Sequence, residues 1–218
     1  MTELPDLGLN KSEAAAALTP AARRLHRLAL TAFAEAGRAP RRADLERDAR
    51  DHGIDPGPAL AELTERDVLA VDERGEIRAA YPFSPVPTRH HVSWDGAAST
   101  VYAMCAIDAL GVSAMLGIPI TISSTEPDTD RTVTVHVDQR TARWRPDTAV
   151  VFAGATEDTC CPSVDRTCGY INFFTSPDAV RRWTARNPGV TGVVLDQDQA
   201  LASAVAEFGA LLRREGQR

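Results

Sequence analysis

Twenty consecutive residues, Ala97 to Leu116, carry a single charged side chain, Asp108, and are otherwise apolar, small or hydroxyl-bearing. A segment of this kind needs cover on every side, because an element that is apolar all round is stable only inside a core. Its length and its Ala, Met and Leu content predict one long buried helix, closed by Gly117 and Pro119. A chain of 218 residues is long enough to wrap such an element in one domain or two.

The segments on either side supply the wrapping. Thr19-Pro20 has the pattern of an N-cap followed by proline in the first helical position, and Leu25, Leu28, Ala32 and Phe33 recur at helical spacing until Gly37. Before it, residues 1–18 read as a lead-in with a short helix over Ser12 to Leu18. A second helix is expected over Arg42 to His52 and a third over Pro58 to Arg66. Residues 68–71 and 76–79 then read as a strand pair around Asp72-Glu73-Arg74-Gly75. Three short helices and a hairpin have the layout of a winged helix, in many proteins a DNA-reading module. Arg38, Arg41, Arg42, Arg47 and Arg50 would suit phosphate contacts, but Asp44, Glu46, Asp48 and Asp51 are interleaved with them. That mixture favours a solvated helix face. The proline-rich stretch Tyr81 to Pro87 cannot continue a helix and places a linker at 80–88.

Beyond the linker, strands are expected at 88–93, 118–124, 131–137, 149–153, 170–174 and 190–195. Helices are expected from Ser176-Pro177 to about Asn187 and from Gln197 to Arg214. Without a regular βαβ alternation the fold class is α+β, with a winged-helix-like domain over 1–80 and a mixed catalytic core over 81–218.

Composition narrows the function. No stretch has the apolar length of a membrane helix, and the start, MTELPDLGLNKSEA, lacks the layout of a signal peptide, so no membrane partner and a cytoplasmic location are expected. The net charge of −6 argues against a general grip on nucleic acid. Lys11 is the only lysine, which reads as compositional bias. The nucleotide-binding, P-loop, HExxH and GxSxG signatures are absent. Four cysteines, Cys105, Cys160, Cys161 and Cys168, contain no CxxC and read as free thiols in a reducing compartment.

Cys105 and Asp108, three apart on the expected helix, share a face, so thiol and carboxyl can meet in one pocket. A carboxyl in so apolar a setting is paired, hydrogen-bonded or protonated, and a raised pKa would make it a usable acid. The bland alternative is a small core cysteine beside a capping aspartate. Cys160, Cys161 and Cys168 fall on a segment rich in Asp, Thr, Pro and Gly that reads as a loop, with Arg166 near enough to favour a thiolate. Their spacing, and that of His90-His91 and His136, does not suit zinc. Converging thiolates with few hard ligands suit Cu(I), and Hg(II) better still.

Two segments resemble the active-site motifs of the organomercurial (alkylmercury) lyases. Val101-Tyr102-Ala103-Met104-Cys105-Ala106-Ile107-Asp108-Ala109-Leu110 is similar to the first. Thr167-Cys168-Gly169-Tyr170-Ile171-Asn172-Phe173-Phe174 is similar to the second, followed by a helix with Trp183. The likeness spans roughly residues 20–212, including an Ala80-Tyr81-Pro82 linker element and a winged-helix-like N-terminal region. It implies a catalytic core of that type, in which Cys105 attacks mercury, Cys168 supplies a second soft ligand and Asp108 delivers a proton to the leaving carbon. Cys105, Cys168 and Asp108 are thus the implied metal ligands. No resident cofactor is implied; Hg(II) would be held as product and removed by an external thiol. The implied partners are an organomercurial substrate, cellular thiols and a mercuric reductase. The chain departs from well-known members at Met104, where an aromatic is common, at Gly169, where some carry another cysteine, and in the upstream Cys160-Cys161 pair. A non-catalytic Hg(II) or Cu(I) binding protein and a metal-responsive regulator are the competing readings.

Overall fold

The structure, a computed structural model, describes residues 9–96, 100–156 and 168–212. Helix α1 (Lys11–Ala16) leads into α2 (Pro20–Ala36), where Thr19 caps the first turn by accepting the Ala22 N–H and Gly37 closes the last at φ 66°. The α2 stripe of Leu25, Ala29, Leu30 and Phe33 is buried, as its spacing requires. Helices α3 (Arg42–Asp51) and α4 (Pro56–Glu65) pack beside it. Strands β1 (Leu69–Val71) and β2 (Ile77–Ala80) form the expected hairpin.

The hairpin does not end a separate sheet. The proline-rich linker contains a two-residue strand, β3 (Phe83–Ser84), which joins β2 to β5 (Val101–Ala103). The antiparallel sheet continues through β4 (His90–Ser93), β6 (Ile120–Thr125), β7 (Thr132–Asp138) and β8 (Thr141–Arg145), in the order β1-β2-β3-β5-β4-β6-β7-β8. A second, three-stranded sheet places β9 (Val150–Thr156) between β10 (Ile171–Phe174) and β11 (Val190–Leu195). Helix α6 (Pro177–Arg186) covers it, burying Ala179, Val180 and Trp183 against Val150, Phe152 and Phe174.

The apolar run that was expected to be one helix is two elements. Val101–Ala103 is the strand β5, inserted between β3 and β4, and among the described residues of that run only Ala106–Leu116 is helical, as α5. A strand buried in a sheet interior and a buried helix are equally apolar, so periodicity does not separate them. The β-branched and aromatic Val101-Tyr102 pair is the local signal for strand. Strand β8 was not anticipated, because its polar, arginine-flanked sequence alternates about a single buried aromatic, Trp144. The closing helix α7 spans Gln197–Phe208, shorter than expected, with an Asp196–Gln199 capping box at its start.

Helix α5 is the centre of the core. It contacts β4, β5, β6 and β7 on one side and β10 and α7 on the other, and ten of its eleven residues are buried. The approach to α7 is close enough to dictate residue type. A Cβ on Gly111 would lie 2.4 Å from Phe208 Cδ2 and 2.8 Å from Phe208 Cβ, so α5 has glycine where the ring crosses it.

Two outcomes follow. In an open helix Gly→Ala stabilises by up to about 1 kcal/mol; Gly111→Ala is expected instead to cost about 2 kcal/mol through overpacking, seen as a lower urea midpoint, and a raised midpoint would show that Phe208 moves aside freely. His26 on α2 is buried, its Nε2 has no hydrogen-bond partner among the described residues, and burial lowers its pKa from 6.5 to about 4. The fold therefore holds it neutral while the unfolded chain takes a proton below pH 6.5. This removes about 1.4 kcal/mol of stability per pH unit from 6.5 down to about 4. Unfolding curves of His26→Leu at pH 7 and pH 5 should show a loss on acidification smaller than wild type by about 2 kcal/mol; equal losses would contradict the assignment.

Candidate active site

Cys105 is the residue at which strand gives way to helix. Its backbone is extended (φ −150°, ψ −179°) and its Sγ accepts the N–H of Asp108 at 3.4 Å, which makes the thiol the N-cap of α5. Cysteine thus stands where serine or threonine is usual. Asp108, at the third position of the first turn, receives hydrogen bonds in return from the Cys105 thiol and backbone. The spacing of three is that of a reciprocal capping pair. The two side chains meet because one starts the helix and the other closes its first turn, a different origin from the shared face expected from a continuous helix.

Cys168 arrives from the second sheet. It opens a short 3-10 turn, Cys168–Tyr170, that runs directly into β10. The Asn172 side chain donates to Gly169 O at 2.9 Å and holds this turn. At the other end of β10, the buried Glu126 accepts from Thr175 N at 2.8 Å and Thr175 Oγ1 at 2.6 Å, tying the strand to the β6–β7 turn of the large sheet. Asn172 thus fixes the turn that carries Cys168, and Glu126 anchors the far end of β10 to the large sheet.

The result is a group of three. One sulfur each from Cys105 and Cys168 and a carboxylate oxygen of Asp108 lie within 4.8 Å of one another, and all three residues are buried. Among the described residues this is the one cluster of three or more such donors with the geometry to hold a metal ion. His90 is taken up by Ser124 Oγ at 2.9 Å and packs on Phe173, while His136 pairs with Thr121. Cys160 and Cys161 lie outside the described residues.

Burial governs the protonation of the trio. It raises the Asp108 carboxyl from 3.8 to about 7, against the hydrogen bonds from Cys105 and the positive charge of Lys11, which favour ionisation. Asp108 Oδ2 has no hydrogen-bond partner among the described residues. Burial also pushes the Cys105 thiol well above its ordinary value, reinforced by its hydrogen bond with Cys168 and the charge of Asp108. Both groups are thus biased toward the neutral acid. A soft cation reverses that bias at sulfur, because a coordinated thiol loses its proton.

Two further residues reach Asp108 electrostatically: Lys11 favours its charge and Glu207 opposes it. Neither carries a motif; the one signal in the sequence is that Lys11 is the only lysine of the chain. A cavity of about 870 Å³ lies elsewhere, between Trp94, Ile118, Thr121, His136 and Arg143. A smaller one of about 430 Å³ lies between Glu126, Arg131, Arg182, Trp183 and Arg186. Neither is lined by the trio.

Comparison with known proteins agrees with this architecture. The sequence model of the alkylmercury lyase family, MerB, matches residues 83–209, which include all three clustered residues. The alkylmercury lyase of Bacillus cereus is 32% identical over 147 residues, 66% of this chain and 62% of that protein. The alkylmercury lyase of Streptomyces lividans is 38% identical over 124 residues, 55% of this chain and 54% of the relative. The chain therefore spans about three fifths of the length of the Bacillus protein it matches. The solved mercury-bound form of MerB2 superposes with a TM-score of 0.74 at 23% identity, covering 95% of this chain and 99% of that one, and so shares the fold. With its core matched over more than half its length and its thiol–carboxyl trio inside the match, the chain belongs to the alkylmercury lyase family.

Proposed function

We propose that this protein cleaves carbon–mercury bonds by protonolysis, converting R–Hg–X to a hydrocarbon and Hg(II). The observation that carries the reading is the buried grouping of two thiols and a carboxyl with an unpartnered oxygen, all within 4.8 Å. Cys105 attacks first: its sulfur bonds to mercury, X leaves, and the thiol proton leaves with X. Cys168 then adds its sulfur to the same mercury, and two soft donors opposite the carbon weaken the Hg–C bond. The electron pair of that bond takes a proton from the Asp108 carboxyl to give R–H, and the proton lost by Cys168 restores Asp108. The balance is one alkylmercury cation and two thiols in, one hydrocarbon, one dithiolate-bound Hg(II) and one proton out.

Residue types follow from this chemistry. A carboxyl whose pKa sits at about 7 still holds its proton in a substantial fraction of molecules at neutral pH and gives it up more readily than a thiol held well above its ordinary value. Burial keeps water from competing for the carbon. The reaction requires no resident cofactor. External thiols take Hg(II) from the two sulfurs, and a mercuric reductase is the natural consumer of that product.

The α2–α4 bundle with the β1–β2 hairpin reads as a winged-helix-like unit used for packing. On α3, Arg42 and Arg50 pair with Glu46 at 2.7 and 3.1 Å, and Arg47 pairs with Asp44 at 2.7 Å. Those intrahelical pairs occupy charges that a phosphate-gripping helix would present outward, which supports the solvated reading of that face.

The test is release of benzene from phenylmercury by the reduced protein in excess thiol. Cys105→Ser and Cys168→Ser are each expected to abolish turnover. Asp108→Asn should slow it by 10² to 10⁴, the usual contribution of a positioned acid, while still taking up Hg(II). A folded wild-type protein with two titratable buried thiols and no benzene release would refute the lyase reading and favour a soft-metal carrier.

A further inference from the structure

Burying a lysine is costly unless its ammonium is fully paired, and Lys11 is 3% exposed. Its Nζ donates to Asp67 O at 2.6 Å and to Asp67 Oδ2 at 2.7 Å, and it stands 3.9 Å from the centroid of the Tyr81 ring. The backbone N–H groups of Lys11 and Ser12, at the start of α1, both donate to Glu207 Oε2, at 2.7 and 3.3 Å. One residue of a six-residue helix is thereby fixed to three separate parts of the fold.

Two of those attachments lead to the trio. Tyr81 is buried and is followed by Pro82, whose carbonyl accepts the N–H of Met104 at 3.0 Å, and Met104 directly precedes Cys105. Phe83 pairs with Ala103 at the end of β5, two residues before Cys105. Through Tyr81, Lys11 therefore bears on the segment that presents the first thiol. Glu207 is adjacent in sequence to Phe208, the ring that fills the space above Gly111 of α5. Through Glu207, the backbone at the start of α1 bears on the helix that presents the carboxyl, while the lysine side chain itself acts through Asp67 and Tyr81.

We infer that Lys11 is a positioning residue of the active site, holding the Cys105 segment and the Asp108 helix in register from behind. Every other basic residue in the chain is arginine, yet this position carries a compact ammonium, which can point donors at Asp67 while lying on the Tyr81 face; a planar guanidinium is bulkier and less adaptable. The Coulombic influence of Lys11 on Asp108 is consistent with this placement. The inference builds on the lyase reading, and its test has an arm that does not depend on turnover.

The test compares wild type with Lys11→Met, which keeps the side-chain length and removes the charge. Benzene release is expressed per titrated thiol pair, and retention of the mercuric ion is measured by competition with dithiothreitol. Lys11→Met is expected to lower kcat at least tenfold with KM changed less than threefold, and to hold Hg(II) at least tenfold less tightly. A variant equal to wild type in both, or one whose losses only track its unfolded fraction, overturns the inference. Should Lys11→Met not fold, Asp67→Asn, which removes the counter-ion at a half-exposed side chain, decides by the same two measurements with the same direction. A wild type that releases no benzene refutes the lyase reading alone, and the retention comparison then decides the role of Lys11.

Discussion

A helix covered on every side cannot leave polar groups at its first turn to water, so the groups there must satisfy one another. That constraint shapes the centre of this protein. The thiol of Cys105 takes the N–H of Asp108, the Asp108 carboxyl takes bonds from Cys105, and its Oδ2 has no partner among the described residues, with the second thiol in the same cluster. The same burial that gives α5 its packing against two sheets and α7 holds the carboxyl at a pKa of about 7. Keeping that group ionised at neutral pH costs about 4 kcal/mol relative to water, so its resting form near neutrality is finely divided between acid and base. Structural burial and proton-donating capacity are one property here.

Much of the site was legible in the chain because its two halves are carried by short local patterns, Cys105 to Asp108 and Cys168 to Phe174. The spacing of three was legible too, although its cause was not: a capping pair and two residues on one helical face share that interval, and only the extended backbone of Cys105 separates them. The same ambiguity hid β5, since a strand between two others and a helix between two layers are both apolar. Strands β3 and β8 escaped for a different reason. A two-residue strand in a proline-rich stretch and a polar strand at a sheet edge are set by their neighbours' hydrogen bonds, not by any pattern of their own. Lys11 looked like a compositional accident. Its meaning lies in contacts with residues as far along the chain as Glu207, which no local window contains.

The two sheets divide the labour. The larger one carries α5 on its inner face and presents Cys105 at the end of β5; the smaller one presents Cys168 at the start of β10. Glu126 bridges them, bonding Thr175 from the β6–β7 turn. Family membership rests on the core, residues 83–209, which is also the part that holds all three clustered residues.

Cys105 and Cys168 stand about sixty residues apart in the chain and meet across the seam between the sheets. A mercuric ion shared by their sulfurs would therefore be more than a product in a pocket. It would be a covalent staple closing a long loop, of the kind that in a disulfide restricts the unfolded chain by about 4 kcal/mol. Under the proposed lyase reading, each turnover would end with the molecule in its most rigid state, and the thiol that removes the metal would be unfastening the molecule as well as emptying it.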